Sequence, residues 1–380
     1  MTREDTAGAV LSIDAGAIVT NWRALRDRAA PAECAAVVKA DAYGLGVEQV
    51  APALWAAGCR VFFVATLDEA ITLRWCLQRA AAESEAEETS PPAIFVLNGA
   101  PPTGQMEFVQ YGLIPVLNTL DEIGAWASLS EALDCRLPAA IHVDTGMARL
   151  GLPPDEFARL CAEPDRLSGI ALGLVLSHLA CADAPGHPLN HKQRAAFATA
   201  RSRLPAAPAS LAASSGVFLG DGFLFDLVRP GYALYGGSSV AGETSPMQGV
   251  VRLEAPVLQV RQIDTGESVG YGASYAASGP RRIATVGVGY ADGILRSLGN
   301  CGAGYIGGWR VPIVGRISMD LTTFDVTGVD DQAVQPGTLI ELIGPHHPID
   351  EVAREAGTIG YEILTSLGNR YARRWLSAAT

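Results

Sequence analysis

The chain is short of basic charge. Its 380 residues carry 28 Lys and Arg against 40 Asp and Glu, a net charge of −12, and no stretch gathers Lys and Arg into a block. That argues against nucleic acid or an anionic membrane as the main partner. There is also no C-x-x-C pair: seven cysteines lie scattered at positions 34, 59, 76, 135, 161, 181 and 301. An odd, unpatterned set reads as reduced thiols of a cytosolic protein and not as a disulfide framework. No run approaches the length of a membrane span, and MTREDTAGAVLSIDAG has neither a basic n-region nor an apolar h-region, so a cytoplasmic location is expected. No G-x-G-x-x-G follows the first apolar run, which weighs against a doubly wound nucleotide-binding sheet. The cluster His178, Cys181, Asp183, His187 and His191 matches no standard zinc spacing and spans a loop holding Pro185, Gly186 and Pro188. No metal is expected there.

Apolar material, by contrast, is ample, with 49% hydrophobic residues. Eight short, near-continuous runs can be read: AAVVK (35–39), VFFVA (61–65), AIFVL (93–97), LIPVL (113–117), AAIHVD (139–144), LGLVLSH (172–178), ASLAAS (209–214) and DLVRPG (226–231). Amphipathic helical patterns separate most of them, among them 47–58, 67–81 and 190–204. Strands hydrophobic on both faces and alternating with helices form parallel sheets, and eight of them within about 230 residues close a (β/α)8 TIM-type barrel. The acidic stretch AAAESEAEETSPP (80–92) reads as a helix end running into a surface loop. A Gly/Ser-rich stretch, GGSSVAGETSPMQG (236–249), marks the boundary to a mainly β C-terminal domain. The expected domains are therefore 12–240 and 241–380, with residues 1–11 able to join the second; IDEVAREAGTIGYEILTSLGNRYARRWL is read as a return to helix.

In such a barrel, polar residues at strand C-termini face the active site. Those residues are Lys39, the loop DTGMARLG (144–151), His178, Ser214-Ser215, and Arg229-Pro230-Gly231. The loops after the seventh and eighth strands offer hydroxyls and backbone N–H groups suited to a phosphate. A lysine opposite a phosphate site points to a Schiff base with a phosphorylated aldehyde, pyridoxal phosphate.

VVKADAYGLG, DTGMARLG, LVRPGYALYG, YGASY, VGVGYADG, GRISMD and GTIGYEILTSL, in this order from about residue 12 to 375, together resemble the alanine racemases. The resemblance implies a barrel plus β-domain, a homodimer with shared active sites, pyridoxal 5'-phosphate as cofactor, and interconversion of L- and D-alanine for peptidoglycan. It implies that Lys39 carries the cofactor and serves as one base, while Tyr271 of GYGASY is the second base, supplied by the partner subunit on the opposite face. Inversion by proton removal and return needs two such groups. By the same resemblance Tyr43, Ser214, Ser215, Gly231, Tyr232 and Tyr361 hold the phosphate, Arg229 faces the pyridine nitrogen, and His178 supports the network. Arg149 lies near the phenolic oxygen and the substrate carboxylate; Met319 and Asp320 complete the carboxylate site, and Tyr290 belongs to the entrance. Tyr275 is read as an ordinary cross-strand aromatic.

Four positions depart from the family pattern: His142 where a carbamylated lysine is frequent, Ser214 for asparagine, Gly360 for proline, and Ala148 for glycine. They bear on substrate preference, so a serine or broad-specificity racemase is the alternative. A fold-related decarboxylase lacks its cysteine motif here, and a non-catalytic pyridoxal-phosphate carrier would be a lone barrel.

Overall fold

The computed structural model describes residues 6–83 and 91–376. The acidic loop expected within 80–92 falls mostly outside them; the helix before it runs from Leu67 to Glu83. The chain divides into two compact units: residues 18–42 with 46–247, and residues 6–17, 43–45 and 248–376.

The first unit is the barrel. Its first strand is broken at Ala35 into Glu33–Cys34 and Ala36–Val37. It is followed by Val61–Val64, Ala93–Val96, Ile114–Leu117, Leu137–His142, Ile170–Leu176, Ala209–Ser210 and Leu227–Val228. Seven of these pair in sequence order, each parallel to the next. The eighth closes the ring. The N–H groups of Glu33, Ala35 and Val37 donate to the carbonyls of Asp226, Val228 and Pro230, each at 2.9 Å, while those of Asp226 and Arg229 donate to Ala209 and Ala212. The result is the (β/α)8 barrel expected from the eight runs.

The runs are apolar throughout because both faces of the sheet are covered. Phe62, Phe63, Ile94, Val116, Ile141 and Val175 are all buried, and each large side chain contributes roughly 1.5–3 kcal/mol of burial. Helices Val47–Ala56, Leu67–Glu83, Gln105–Tyr111, Leu120–Ala132, Pro154–Ala162 and Pro188–Arg201 follow strands one to six. Strands seven and eight are followed only by short 3-10 turns, Ser215–Phe218, Asp221–Phe223 and Tyr232–Tyr235, which leaves their loops compact at the barrel mouth.

The second unit is mainly β. Its long strand Val251–Ile263 alternates buried and exposed side chains over its first half, as one-sided burial demands. It pairs antiparallel with Val10–Asp14, Arg281–Val286 and Leu339–Ile343. Val10–Asp14 also pairs in parallel with Ala372–Leu376. The expected return to helix is realised in Ile349–Ala356 and Gly360–Ser366, but residues 372–376 are strand. There the backbone of Val10–Asp14 supplies partners that outweigh local helix propensity. Tyr275 lies opposite Val269 and packs on the cluster of Ile263, Val269, Ala277, Ile283 and Val314.

Candidate active site

Lys39 is one of only two lysines in the chain, the other being Lys192. The first strand ends at Val37, and Lys39 opens a left-handed helical turn instead of closing the strand. Ala40, Asp41, Ala42 and Tyr43 have φ of 52°, 53°, 53° and 58°, a conformation costing about 1–2 kcal/mol per residue. Specific bonds offset that cost. The Ala40 N–H donates to Glu69 Oε1 at 2.7 Å, and the Asp41 carboxylate accepts the Val47 N–H at 2.7 Å. Half-buried, Lys39 makes no ion pair or hydrogen bond through its amine among the described residues. Burial lowers its pKa first, then the guanidiniums of Arg149 and Arg229, against an opposing pull from Glu69.

Arg229 follows the eighth strand and is 3% exposed. Its Nη1 donates to Ser210 Oγ at 2.5 Å and its Nη2 to the Ser177 carbonyl at 2.7 Å, with Nη2 also 3.5 Å from His178 Nδ1. Guanidinium only donates, so this contact makes Nδ1 the lone-pair atom of His178 and puts its ring proton on Nε2. Burial, then the charges of Arg229 and Arg149, hold His178 well below the usual histidine range. It is neutral. Burial also draws Arg229 itself down to about 10, still charged at neutral pH.

The fifth strand ends on His142, whose Nδ1 lies 2.9 Å from Asn118 Oδ1. Asn118 Nδ2 is spent on the Leu97 and Val116 carbonyls at 3.2 and 2.8 Å, which fixes its oxygen as the acceptor. His142 therefore carries its proton on Nδ1, the opposite tautomer to His178. Burial first, and Arg229 next, lower its pKa to about 4. Two residues on, the Asp144 carboxylate accepts the N–H groups of Gly146, Met147 and Ala148 at 2.9–3.2 Å. Burial pushes this carboxyl up, but the three N–H groups together hold it below the usual range. The loop they shape exposes Arg149, which has no carboxylate partner among the described residues.

Ser214 and Ser215 part company. Ser214 is 3% exposed, and its Oγ accepts the N–H groups of Gly231 and Ala233 at 2.9 and 3.2 Å, tying the seventh-strand loop to the eighth. Ser215 is half-buried and opens the 3-10 turn that follows, whose leading N–H groups have no partner within it. Gly231 and Tyr232 are buried beside it.

The remaining candidates belong to the second unit. The Tyr43 ring centroid is 6.1 Å from that of Tyr361, and a Cβ on Gly44 would lie 2.8 Å from the Leu364 carbonyl oxygen. Tyr271, Tyr290 and Met319 expose 71%, 43% and 53% of their surface; Asp320 is exposed with them. As for the cluster weighed as a metal site, His187 accepts the Leu189 N–H at a helix start and His191 packs against Phe223.

Comparison with known proteins decides what this arrangement belongs to. Residues 13–239 match the model of the alanine racemase N-terminal domain, and residues 250–375 that of the C-terminal domain. An alanine racemase of Rhodospirillum rubrum is 51% identical over 99% of this chain and 98% of its own. One of Brucella abortus is 47% identical over 98% and 94%. The crystal structure of alanine racemase from Bartonella henselae, with covalently bound pyridoxal phosphate, superposes with a TM-score of 0.91 at 44% identity, covering 97% of this chain and 99% of the other. The chain belongs to the alanine racemase family.

Against the family pattern, each departure has a physical setting. His142 is sealed by Asn118 as a neutral ring, with no amine to carbamylate. Ala148 holds φ of 54°, where glycine is unstrained. Gly360 takes the first position of helix Gly360–Ser366, where proline fits. Glu69, Asn118, Ser177 and Ser210 take part in these networks, and Asp292 and Arg370 pair with each other in the second unit; all six escape a reading of single positions. Asp292 alone carried a signal, an acid between the glycines of GYADG.

Proposed function

We propose that this chain interconverts L- and D-alanine with pyridoxal 5'-phosphate held on Lys39, as one subunit of a homodimer in which each site is built by two chains. The observation that carries the reading is Lys39: a half-buried amine without partner among the described residues, under the charges of Arg149 and Arg229. A structural lysine would be paired or solvated; a lowered pKa makes an amine nucleophilic.

The residues present fit the cofactor. Lys39 would take the aldehyde, and Arg229, charged and locked by Ser210 and Ser177, would face the ring nitrogen. Ser215, Gly231, Tyr232, Tyr43 and Tyr361 would hold the phosphate, with Ser214 keeping the Gly231 turn in place. When bound, the cofactor supplies an electron sink that makes the α-proton of an amino acid acidic.

Everything else falls to the protein. Lys39 Nζ, its pKa lowered by burial and by the charges of Arg149 and Arg229, removes or returns the α-proton on one face. The Tyr271 phenol serves the opposite face from the second chain, and a phenol needs the help of a partner that takes up its proton to act as a base. Arg229 and the neutral His178 supply that help. Arg149 and the Met319 N–H orient the substrate carboxylate in a site bordered by Asp320, and Tyr290 narrows the entrance. Support for the two-chain site comes from the exposure of Tyr271, Tyr290 and Met319, three large side chains left uncovered on one chain. D-alanine for peptidoglycan is the product we assign, made in the cytoplasm; no helix among the described residues is long and apolar enough to cross a membrane.

Complementation tests the whole reading. Lys39→Ala and Tyr271→Phe are each expected to be inactive, and Lys39→Ala to lose the borohydride-reducible bond to the cofactor. Mixed chains are expected to recover part of the activity, because some dimers then hold one intact site. A reducible bond persisting in Lys39→Ala, or no recovery despite proven subunit exchange, refutes it. Equal or better turnover of L-serine than of L-alanine by the parent enzyme would favour the broad-specificity alternative.

A further inference from the structure

Arg370 lies in the last turn before the C-terminal strand and no motif points to it. Its guanidinium makes three charge-assisted bonds. Nε and Nη2 grip the two oxygens of Asp292 at 2.6 and 3.0 Å, and Nη1 reaches Asp320 Oδ1 at 2.7 Å. Asp292 is 2% exposed, and its Oδ2 also accepts the Gly289 N–H at 2.9 Å. A buried carboxylate held by a two-pronged fork is the geometry in which an ion pair sets position.

What the fork joins is the important point. Asp292 closes the short turn Tyr290–Asp292, and Asp320 follows Met319. The two segments already touch along their backbones, the Tyr290 N–H donating to the Ser318 carbonyl at 3.1 Å and the Ala291 N–H to the Met319 carbonyl at 3.0 Å. There is no slack between them. A Cβ on Gly289 would lie 2.2 Å from the Ser318 oxygen, and one on Gly293 would lie 2.0 Å from the Ser366 oxygen. On the far side the Gly368 N–H donates to the Asp292 carbonyl at 3.0 Å, and Tyr371, next to Arg370, is buried. Among the described residues the Met319 N–H donates to no protein atom.

We propose that Arg370 is a positioning residue that sets the spacing between Tyr290 and the Met319–Asp320 segment, and through it both the affinity for the substrate carboxylate and the limit on substrate side-chain size. The proposal rests on the assignment of those three residues to the substrate site. With Asp320 held on Arg370, its negative charge is kept from swinging toward an incoming carboxylate, and the Met319 N–H is left as the donor that meets it. Without Arg370, Asp292 is a buried carboxylate with one backbone donor, and its turn has reason to move toward water.

The test uses Arg370→Met and Arg370→Lys in the full cofactor-loaded enzyme. It measures kcat and KM for L-alanine and L-serine, inhibition by propionate, the visible absorbance of the bound cofactor, and the melting temperature. Propionate keeps alanine's carboxylate and methyl group without the amine, so it reads the carboxylate site alone. Arg370→Met is expected to raise KM for alanine and Ki for propionate about tenfold or more, with kcat changed less than about threefold. It is also expected to move the serine-to-alanine ratio of kcat/KM toward serine, with cofactor absorbance retained. Arg370→Lys recovers only part of the propionate affinity, since one ammonium cannot span two carboxylates as the fork does. A folded Arg370→Met with propionate Ki and serine-to-alanine ratio within about twofold of the parent overturns the proposal. If Arg370→Met does not fold, the propionate Ki of Arg370→Lys decides by the same criterion. Should the parent not racemise alanine at all, the functional reading fails; should it do so while the variants match it, only the role of Arg370 fails.

Discussion

Replacing Ser214 by alanine removes one oxygen and leaves two backbone N–H groups without their acceptor. The oxygen takes Gly231 at 2.9 Å and Ala233 at 3.2 Å, and the serine is 3% exposed, so water has poor access to replace it. An unsatisfied buried donor costs about 1–3 kcal/mol. With the Ala233 bond the longer and weaker of the two, the expected loss is about 2–4 kcal/mol, far more than the missing volume of a hydroxyl would produce. Urea unfolding of the cofactor-free chain measures it, as a fall in midpoint at constant m. Ser214→Thr keeps the oxygen and adds a methyl group, which separates the acceptor from the volume, and it is expected to recover most of the loss. Because Gly231 belongs to the proposed phosphate loop, Ser214→Ala is also expected to release cofactor faster than Ser214→Thr. A loss below about 0.5 kcal/mol, or Ser214→Thr no better than Ser214→Ala, would refute the reasoning.

Two other predictions concern positions that depart from the family pattern. His142 is held at about 4 in the folded chain against 6.5 when free, so its neutral burial stabilises the fold above pH 6.5, and that contribution is lost as pH falls toward 4. The acid side of the stability curve carries about 3 kcal/mol from this residue. His142→Gln, which cannot charge, is expected to show a shallower decline in urea midpoint between pH 7 and 4.5; parallel declines would exclude the assignment. Gly360→Pro is expected to raise stability by about 0.4–1 kcal/mol. The helix opens at Gly360, and Ile359 already has φ −119° and ψ 151°, the region a following proline requires. A lower melting midpoint would show that the first turn does not accept the ring.

Much of this protein is written in local pattern. Eight apolar runs separated by amphipathic segments point to a parallel sheet covered on both faces, and their number, with no G-x-G-x-x-G after the first, points to a closed barrel. Polar residues that end those runs then stand at one mouth by the geometry of the fold, and for that reason Lys39, His178 and Arg229 could be singled out before any coordinate was known. The change from helix-separated runs to alternating strands and tight turns is equally local, whereas the membership of residues 6–17 and 43–45 in the second unit is not.

Other features depend on partners distant in the chain. Residues 372–376 have no intrinsic need to be strand; they are strand because Val10–Asp14 offers an unfilled edge. The left-handed turn after Lys39 contradicts the preference of alanine and aspartate and stands because Glu69, from the helix after the second strand, bonds the Ala40 N–H. Ser214 reads as a phosphate ligand in sequence, but in the fold its oxygen is occupied by two backbone donors. Asn118 decides which nitrogen of His142 carries the proton, and Arg370 joins two turns that sequence keeps far apart. Periodicity is a property of neighbours along the chain and is legible there. Hydrogen-bond satisfaction and charge pairing are properties of neighbours in space, and only tertiary structure decides them.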